Sequence, residues 1–495
     1  PKTAADMVGN IPGFTISGDD NDERGFGQAR QNVLINGRRV SGKSNDAATA
    51  LGRITAENVI RIEIVDGATL DIPGLSGQVA NVIARVDALS GNWSWNPEFR
   101  ENLQPSWFNG EINANGRAGG WSWSVGLEAN EFHNGHDGPG VITDGAGNVL
   151  DVRREGFNGA GEEPELNATV TYETAAGSIA NLNLALESFN FVGREDSFRN
   201  PVNGPPSNRF VFIGEDDRGG EIGADWEFDF GPGRLKLIGL QRYWEEWDLV
   251  TVETYPDAGA APRERVDFYA ESGESILRSE YSFGLFGGDM QWAAEGAFNF
   301  LDVTNSVGGL QPGGRYILTP LPGGNARVEE KRAETNLSYS RTLSDAWSLQ
   351  SSLGVEYSEL SQIGAGGLTR EFVRPKGFVS LAWKATDTLD VNLKGERRVG
   401  QLDFGDFLSS VDLQNNNQSS GNVELVPEQS WILSSEINKK LGPWGAVKLV
   451  SEHQWIEDVV DSIPIDENGV PIADPVTNVG DIPRSGVRNI EVATA

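Results

Sequence analysis

Residues 225–233 read DWEFDFGPG, in which every second side chain is aromatic until a Gly-Pro-Gly turn interrupts the run. Successive side chains of an extended strand point to opposite sides. Trp226 and Phe228 therefore share one face, and Asp225 and Glu227 share the other. This alternation predicts an antiparallel strand with one apolar and one acidic face, ending in a tight turn.

The same alternation returns in WSWSVGLE at residues 121–128 and in later segments, so the spacing of turns must distinguish a barrel from a sandwich. Short turns alternating with long loops, joined by strands of about 10 residues, are typical of an outer-membrane β-barrel. In such a barrel the acidic faces line a wet lumen, and the Trp, Phe and Leu side chains meet lipid. Tight turns are predicted at residues 119–120, 175–177, 231–233, 287–288, 342–345, 386–388 and 442–443, and long polar loops at 131–165, 190–220, 245–273, 302–327, 401–427 and 458–484.

The composition of the 495 residues excludes several function classes. Asp and Glu number 72 against 40 Lys and Arg, a formal charge of −32, whereas nucleic-acid binding requires a basic surface. The absence of Cys excludes disulfides and thiolate metal sites, and three His leave little imidazole chemistry. No apolar run approaches the roughly 18 residues of a membrane helix.

Residues 1–85 follow a different pattern from the rest of the chain. Short apolar runs occur at residues 33–35 and 59–65, and a short helix is predicted over 45–53 after the capping Ser44. The sequence therefore predicts a small α+β domain over residues 1–85 and a transmembrane β-barrel over residues 86–495.

Five segments, in order, carry a family resemblance. They are NIPGFTI at 10–16, RGFG at 24–27, VLINGRR at 33–39, VIRIEIVDG at 59–67 and, far downstream, GNVELVPEQSW at 421–431. The first four resemble the plug domain of TonB-dependent outer-membrane receptors, and the fifth resembles a segment that opens a barrel strand in that family. Asp66 departs from the pattern, because a basic residue often precedes this glycine. No TonB box is recognisable ahead of the plug.

The resemblance implies an all-β membrane protein with an N-terminal plug inside the lumen of a barrel of about 22 strands. Two strands for each of the seven predicted turns, with a further strand before the first turn and after the last, give about 16 strands in this chain. The C-terminus also lacks the aromatic ending typical of outer-membrane proteins. We therefore expect the barrel to be truncated at the C-terminus and to stop short of closure.

The resemblance also implies a function. It indicates a non-enzymatic importer in the outer membrane of a Gram-negative bacterium, which binds a scarce solute, either a siderophore-type metal chelate or an oligosaccharide. The implied partners are TonB with ExbB–ExbD, outer-membrane lipid and lipopolysaccharide. A monomeric barrel without cofactor, resident metal or nucleic acid is expected. Ligand contacts are expected from Arg24, Phe26 and Gln28 at the plug apex, with Arg30 and Lys43 contacting anions, and structural roles from Gly25, Gly37, Arg61, Glu63 and Gly67.

Two alternative functions remain open at this point. A passive, porin-like channel would share the barrel without needing a plug. Residues 37–44, GRRVSGKS, satisfy the phosphate-loop pattern and follow a strand, so a nucleotide-binding protein is the other alternative. Too few residues precede the antiparallel region for the parallel sheet that such a fold requires.

Two minor metal-site hypotheses have simpler explanations. His133 and His136 lie in a predicted external loop, where a solvated segment is the favoured interpretation. The acidic run at residues 19–23 lacks the twelfth-position Glu of a calcium loop, because Gln31 stands there. We predict no metal site from either segment.

Overall fold

The computed structural model describes residues 1–11, 14, 16, 32–39, 43–44, 47–67, 70, 78–85, 89–364, 367–415 and 417–461, together with the backbone of 482–493. No helix within these ranges has the length and apolar character needed to span a membrane. The predicted ligand residues Arg24, Phe26, Gln28 and Arg30, and Gly25 beside them, lie outside the described residues.

The N-terminal domain is a small α+β unit, as the sequence predicts. Helix α1 (Ala4–Gly9) begins at a capping box, in which Thr3 Oγ1 accepts a hydrogen bond from Asp6 N at 3.2 Å and the Asp6 carboxylate accepts one from Thr3 N. The other elements are β1 (Val33–Ile35), α2 (Ala47–Gly52), a 3₁₀ turn (Ala56–Asn58), β2 (Val59–Asp66) and β3 (Gln78–Ala84). In the sheet, β3 lies between β1, which is parallel to it, and β2, which is antiparallel. The core includes Val8, Val33, Leu51 and Val82.

The remaining strands form an antiparallel barrel. Its strands are β4 (Leu89–Trp95), β5 (Gly110–Ala118), β6 (Trp121–Thr143), β7 (Val149–Glu173), β8 (Ile179–Pro201), β9 (Ser207–Phe230), β10 (Gly233–Pro256), β11 (Arg263–Leu285), β12 (Gly288–Leu310), β13 (Tyr316–Pro320), β14 (Ala326–Ser344), β15 (Trp347–Ile363), β16 (Thr369–Thr386), β17 (Leu389–Val399), β20 (Gln429–Lys440), β21 (Ala446–Glu457) and β22 (Ile482–Ala493). A hairpin of β18 (Ser410–Asp412) and β19 (Asn417–Ser419) stands apart, and 3₁₀ turns occupy Gly405–Phe407 and Gly442–Trp444.

The barrel is closed, which corrects the expectation that it stops short of closure. Strand β22 lies beside β4, and the described strands complete the circle. The five-residue β13 is an addition beside β12, which pairs with β14 along most of its length. Sixteen full strands remain once β13 is set aside, the number that the turns predict. A sheet closes into a barrel only when the stagger between neighbouring strands matches the number of strands. A count of turns gives the number of strands but not the stagger.

All seven predicted tight turns lie at junctions between consecutive strands, although residues 342–344 of the turn predicted at 342–345 still belong to β14. Most of the predicted long loops are wrong. Strand β6 continues to Thr143 and β7 begins at Val149, so most of the predicted loop 131–165 is a hydrogen-bonded ladder. Backbone pairing does not depend on apolar side chains, so strands continue into water where the sequence turns polar. His133 and His136 consequently lie on β6, and their different parity places them on opposite faces of the strand.

Apolar side chains are exposed on the outside of the barrel and polar side chains are buried on the lumen side, the reverse of the pattern in a soluble protein. Asp225 is 5% exposed and faces the lumen, whereas its neighbour Trp226 is 50% exposed on the outside. Trp347 and Trp383, both beside short turns, stack on neighbouring strands with ring centroids 5.2 Å apart. This outer aromatic belt is the arrangement expected at a membrane interface.

Candidate functional site

The plug domain lies inside the barrel and is bonded to its inner wall. Lys43 is buried, and its Nζ lies 2.7 Å from Glu274 Oε2 on β11. On another part of the wall, Asn115 of β5 donates a hydrogen bond to the carbonyl of Arg53 at 2.7 Å. Arg53 Nε in turn donates to Ser124 Oγ on β6 at 3.0 Å. The plug is therefore held from several sides of the lumen.

The segment that resembles a phosphate loop binds a carboxylate of the wall. Glu221 on β9 accepts hydrogen bonds from the backbone N–H of Lys43 at 3.0 Å and from both the N–H and the hydroxyl of Ser44, at 3.1 and 3.2 Å. Backbone amides and a lysine are the groups that a nucleotide-binding loop offers to phosphate. Here those groups contact Glu221 and Glu274, an arrangement that disfavours the nucleotide-binding alternative.

The other described plug residues predicted from the sequence have definite positions. Gly37 adopts a positive φ of 77° in the turn after β1, and its N–H donates to Asn81 Oδ1 at 2.9 Å. The Gly67 carbonyl accepts a hydrogen bond from Gln350 of β15 at 3.0 Å. Arg61 and Glu63 form an exposed ion pair of 2.7 Å on β2. Their structural roles stay a prediction, since position alone does not test them.

On one half of the lumen the wall charges are paired with each other. Glu295 of β12 accepts hydrogen bonds from Arg278 at 3.1 Å and from Arg332 at 2.7 Å. Lys376 of β16 lies 2.6 Å from Glu334 and 2.9 Å from Glu356. Apart from the half-buried Lys376, these charged residues are buried, and the pairs link β11 to β16 across the lumen surface. Their charges cancel locally, and each buried ion has a partner.

The opposite half of the wall carries carboxylates without such partners. Glu111, Glu128, Glu165 and Glu187 are directly opposite one another on the four adjacent strands β5 to β8. Within the described residues, none of the four forms an ion pair. Like charges placed directly opposite each other are destabilising, so this row has an energetic cost. It gives this face of the lumen a negative potential above the plug.

Aromatic rings line the same half of the lumen. Phe132, Phe189 and Phe191 lie 6.1–6.5 Å apart between ring centroids, and His136 stacks on Phe157 at 5.7 Å. The Phe132 ring covers Gly161, where an added Cβ would lie 2.4 Å from it. We call the space that these rings and the carboxylate row border the chamber. Ring faces stack on planar groups and sugars, and carboxylates accept hydrogen bonds from ligand donors.

The connection between β17 and β20, residues 400–428, folds across the barrel mouth, and we call it the strap. Phe404 and Phe407 pack on the inner wall against Val328 and Leu360. Farther along, Leu413 packs with Val211, Ile213 and Val252, on strands β9 and β10. Arg209 of β9 donates a hydrogen bond to the Gln414 carbonyl at 2.7 Å. The strap thus roofs the chamber, while the plug forms its floor.

Two carboxylates near the roof have raised pKa values. Burial, with Asp248 nearby, raises the pKa of Asp217 to about 6, and burial together with Asp248 raises the pKa of Glu246 to about 7. The outer face at this level carries the ion pair of Asp216 and Arg218, so these segments of β9 and β10 extend beyond the bilayer. The lumen at this height therefore changes charge near neutral pH.

Sequence reasoning misses the residues that build the plug contacts, the chamber and the strap. Glu221 and Lys43 are 178 residues apart, so no local pattern connects them. Phe132, Phe157 and Phe191 lie in segments predicted to be loops or their edges. The sequence does contain one signal of a strand there, since Phe157, Gly159 and Gly161 follow one another at the two-residue spacing of a single strand face.

Comparison with known proteins identifies the N-terminal domain. Residues 1–76 match the profile of the TonB-dependent receptor plug domain. A hemin receptor of Yersinia pestis is 28% identical over 218 residues, which cover 42% of this chain and 30% of that protein. Because less than a third of that receptor is matched, its activity is carried to this chain only as a proposal.

Solved structures of similar architecture are more distant in sequence. The ferric yersiniabactin uptake receptor FyuA of Yersinia pestis is 10% identical, with a TM-score of 0.46 over 92% of this chain and 70% of that chain. The ferric preacinetobactin receptor BauA of Acinetobacter baumannii is 12% identical, with a TM-score of 0.46 over 95% and 71%. The assignment of the N-terminal domain depends on its own match to the plug profile rather than on these likenesses.

Proposed function

We propose, on the premise that the chain belongs to the TonB-dependent receptors by its plug domain, that it imports a scarce extracellular solute with energy supplied through TonB. Receptors of this family transport solutes and are not enzymes. The solute is a siderophore-type metal chelate or an oligosaccharide. The barrel belongs in the outer membrane, where its exposed aromatic and aliphatic outer face meets lipid and lipopolysaccharide.

The observation that carries this proposal is the bonded plug. Lys43 and Ser44 engage Glu274 and Glu221, so the plug is fixed to the wall by buried charged contacts. A passive channel does not require a domain that is fixed inside its lumen. Moving the plug costs free energy, because Glu274 and Glu221 would lose the buried contacts that Lys43 and Ser44 make with them. An energy source such as TonB with its ExbB–ExbD motor supplies that work.

Solute capture is assigned to the chamber and to the plug apex. Arg24, Phe26 and Gln28 are the proposed apex contacts, with Arg30 as a further contact for anionic groups. The Phe132, Phe189 and Phe191 rings supply stacking surfaces above the plug. The strap retains the bound solute. A single barrel holds the whole site, so a monomer is sufficient.

Permeability of the purified protein tests the plug's role without knowledge of the solute. Proteoliposomes containing the intact chain should not swell in isotonic raffinose, whereas a variant lacking residues 1–85 should admit the sugar. Swelling of the intact chain at the rate of the deletion variant would support the passive-channel alternative. Circular dichroism of both proteins serves as the control for barrel assembly.

Growth on defined nutrients tests energy coupling and names the solute. A Gram-negative host without its own receptors, expressing this chain, is supplied with hemin, ferric hydroxamates or maltodextrins as sole source of iron or carbon. We expect growth on one of them that disappears when tonB is deleted. Growth that persists without TonB, or no growth on any member of an extended panel, contradicts the proposal.

A further inference from the structure

A second cavity lies between the plug and the wall, at the opposite end of the lumen from the strap. Its volume is about 820 Å³. On the wall side it includes Gly120 of the β5–β6 turn, Glu173 at the end of β7 and Arg234 near the start of β10. All three adjoin short turns, which face the periplasm in outer-membrane barrels. The cavity therefore lies below the plug, on the exit side.

The turn after β1 projects two arginines of the plug into this cavity. Asn36 and Gly37 have φ values of 51° and 77°, and Ile35 and Arg38 exchange backbone hydrogen bonds of 2.9 and 3.1 Å across them. Consecutive left-handed residues form a tight two-residue hairpin turn, for which Asn-Gly is the preferred sequence. Asn36 Oδ1 also accepts a hydrogen bond from Ala84 N at 3.0 Å. This turn places Arg38 and the following arginine on the cavity surface at a fixed point.

Basic side chains outnumber acidic ones around the cavity. The lining contains seven basic and four acidic residues, an excess of three positive charges in a protein whose formal charge is −32. The basic residues are Arg38, Arg39, Arg53, Arg85, Arg117, Arg234 and Lys236, and the acidic residues are Glu173, Asp225, Glu227 and Glu280.

Most of the acidic residues are already neutralised by basic neighbours on the barrel. Glu227 lies 2.7 Å from Arg234, and Glu280 lies 2.7 Å from Arg278. Arg38 from the plug and Arg117 from the wall, by contrast, form no ion pair within the described residues. Two guanidinium groups thus border the cavity from opposite sides, each able to bind a carboxylate or phosphate in bidentate geometry.

The rest of the wall lining is neutral and hydrogen-bonding. Thr171 Oγ1 donates to Asn181 Oδ1 at 2.7 Å, and Thr169 Oγ1 donates to Asn183 Oδ1 at 3.0 Å. Hydroxyls and amides in this arrangement suit a ligand that carries hydroxyl groups beside its charge.

We propose that this cavity is an anion-binding station, which receives a hydroxylated anionic solute after it has passed the plug. A row of carboxylates borders the chamber above, so the cavity below is the more favourable of the two sites for an anionic group. The lumen is thus graded in electrostatic potential toward the periplasm. The direction of travel depends on the proposed import function, but the anion preference of the cavity does not.

Charge-selective labelling of single cysteines tests the proposal, because the natural chain has no Cys. Ser122→Cys places a thiol on the cavity wall, opposite Arg117 on the adjacent strand. Asn130→Cys, on the same face of β6, places one beside Glu163 in the chamber. Each purified full-length variant is treated with an anionic sulfonatoethyl and a cationic trimethylammonium methanethiosulfonate.

We expect the ratio of anionic to cationic labelling rates to be about tenfold higher at position 122 than at position 130. Arg38→Gln and Arg117→Gln should each lower the ratio at position 122, whereas Arg218→Gln on the outer face should not. Equal ratios at the two positions, or no labelling at position 122, would overturn the proposal.

Protection by citrate tests binding itself. At constant ionic strength, citrate should slow labelling at position 122 by the neutral methyl methanethiosulfonate, leave position 130 unaffected and lose its effect in Arg38→Gln. Absence of protection at position 122 contradicts an anion site. Neither measurement involves TonB, so a failed growth assay with intact citrate protection would reject the import function and leave the cavity assignment standing.

Discussion

At the scale of single residues, the Lys43–Glu274 pair is expected to anchor the plug to the barrel wall. Both side chains are less than a tenth exposed, so Glu274→Gln removes a buried negative charge that lies 2.7 Å from the Lys43 ammonium. Removing one partner of a buried pair costs about 3–5 kcal/mol. We expect the plug of Glu274→Gln to loosen, measured as faster proteolysis of residues 1–85 in the folded protein.

The double variant Lys43→Met with Glu274→Gln removes both charges of the pair. It therefore tests whether Glu274→Gln loosens the plug through the loss of charge pairing or through a change in packing. It should be less sensitive to protease than Glu274→Gln alone, because the buried Lys43 ammonium is removed together with the carboxylate that it contacts. Lys331→Met is the matched control, since Lys331 forms an ion pair of similar length, 2.8 Å, with Glu359 but is exposed. A change in proteolysis as large in this control would contradict the assignment of Lys43 as a plug anchor.

Gly37 carries a second prediction, based on backbone conformation. Its φ of 77° is unfavourable for any side chain, although an added Cβ would meet no atom within 4 Å. Gly37→Ala should therefore cost about 1 kcal/mol through conformational strain alone. We expect the Ile35 amide, which donates across this turn, to exchange hydrogen about fivefold faster. Gly9→Ala, which has open space and no such φ, should leave that rate unchanged.

At the scale of elements, the strap is expected to open independently of the barrel. Phe407 is buried against the wall, so Phe407→Ala removes packing worth about 3–5 kcal/mol. Hydrogen exchange should accelerate over residues 400–428 and not over β14 or β15. Phe99→Ala, at a position 63% exposed, is the control and should change neither. Unchanged exchange in the strap of Phe407→Ala would show that other contacts hold it.

The outer segments of β9 and β10 should respond to pH. Asp217 has a folded pKa of about 6 against an ordinary value of 3.8, so the folded state binds its proton more tightly than the unfolded state does. Its contribution to stability is present below pH 3.8 and is lost as the pH rises through about 6. Hydrogen exchange at these strand tips, corrected for intrinsic rates, should accelerate from pH 5 to pH 8. Asp217→Asn should weaken that dependence on pH, and its combination with Glu246→Gln, which removes the second carboxyl with a raised pKa, should remove most of it.

Local signals predict the elements of this fold well where the backbone must turn. Gly119 and Gly231 have positive φ values and lie between strands, as the glycine-rich turn sequences indicate. The sequence predicts loops where the structure has strand ends above the bilayer, because the polar sequence of β6 and β7 resembles loop composition. Hydrogen bonds along the ladder hold those residues, and composition does not report them.

At the scale of the whole molecule, closure and the site depend on contacts that are distant in sequence. Strand β22 meets β4, and Arg209 reaches Gln414 across 205 residues. The family resemblance predicts that a plug occupies the barrel. It does not specify that Glu221 is the carboxylate that the Lys43 and Ser44 amides bind. Such pairings require the three-dimensional register of the barrel.

The length of strands β6 to β12, 23–25 residues each, has a consequence at the cell surface. At about 3.3 Å per residue and the usual tilt, this wall is about 60 Å tall, against an apolar band of about 25 Å. Roughly half of the wall therefore extends beyond the bilayer, as a rigid structure among the sugars of the cell surface. An antibody raised against the outward Asp216–Arg218 segment should therefore stain intact bacteria.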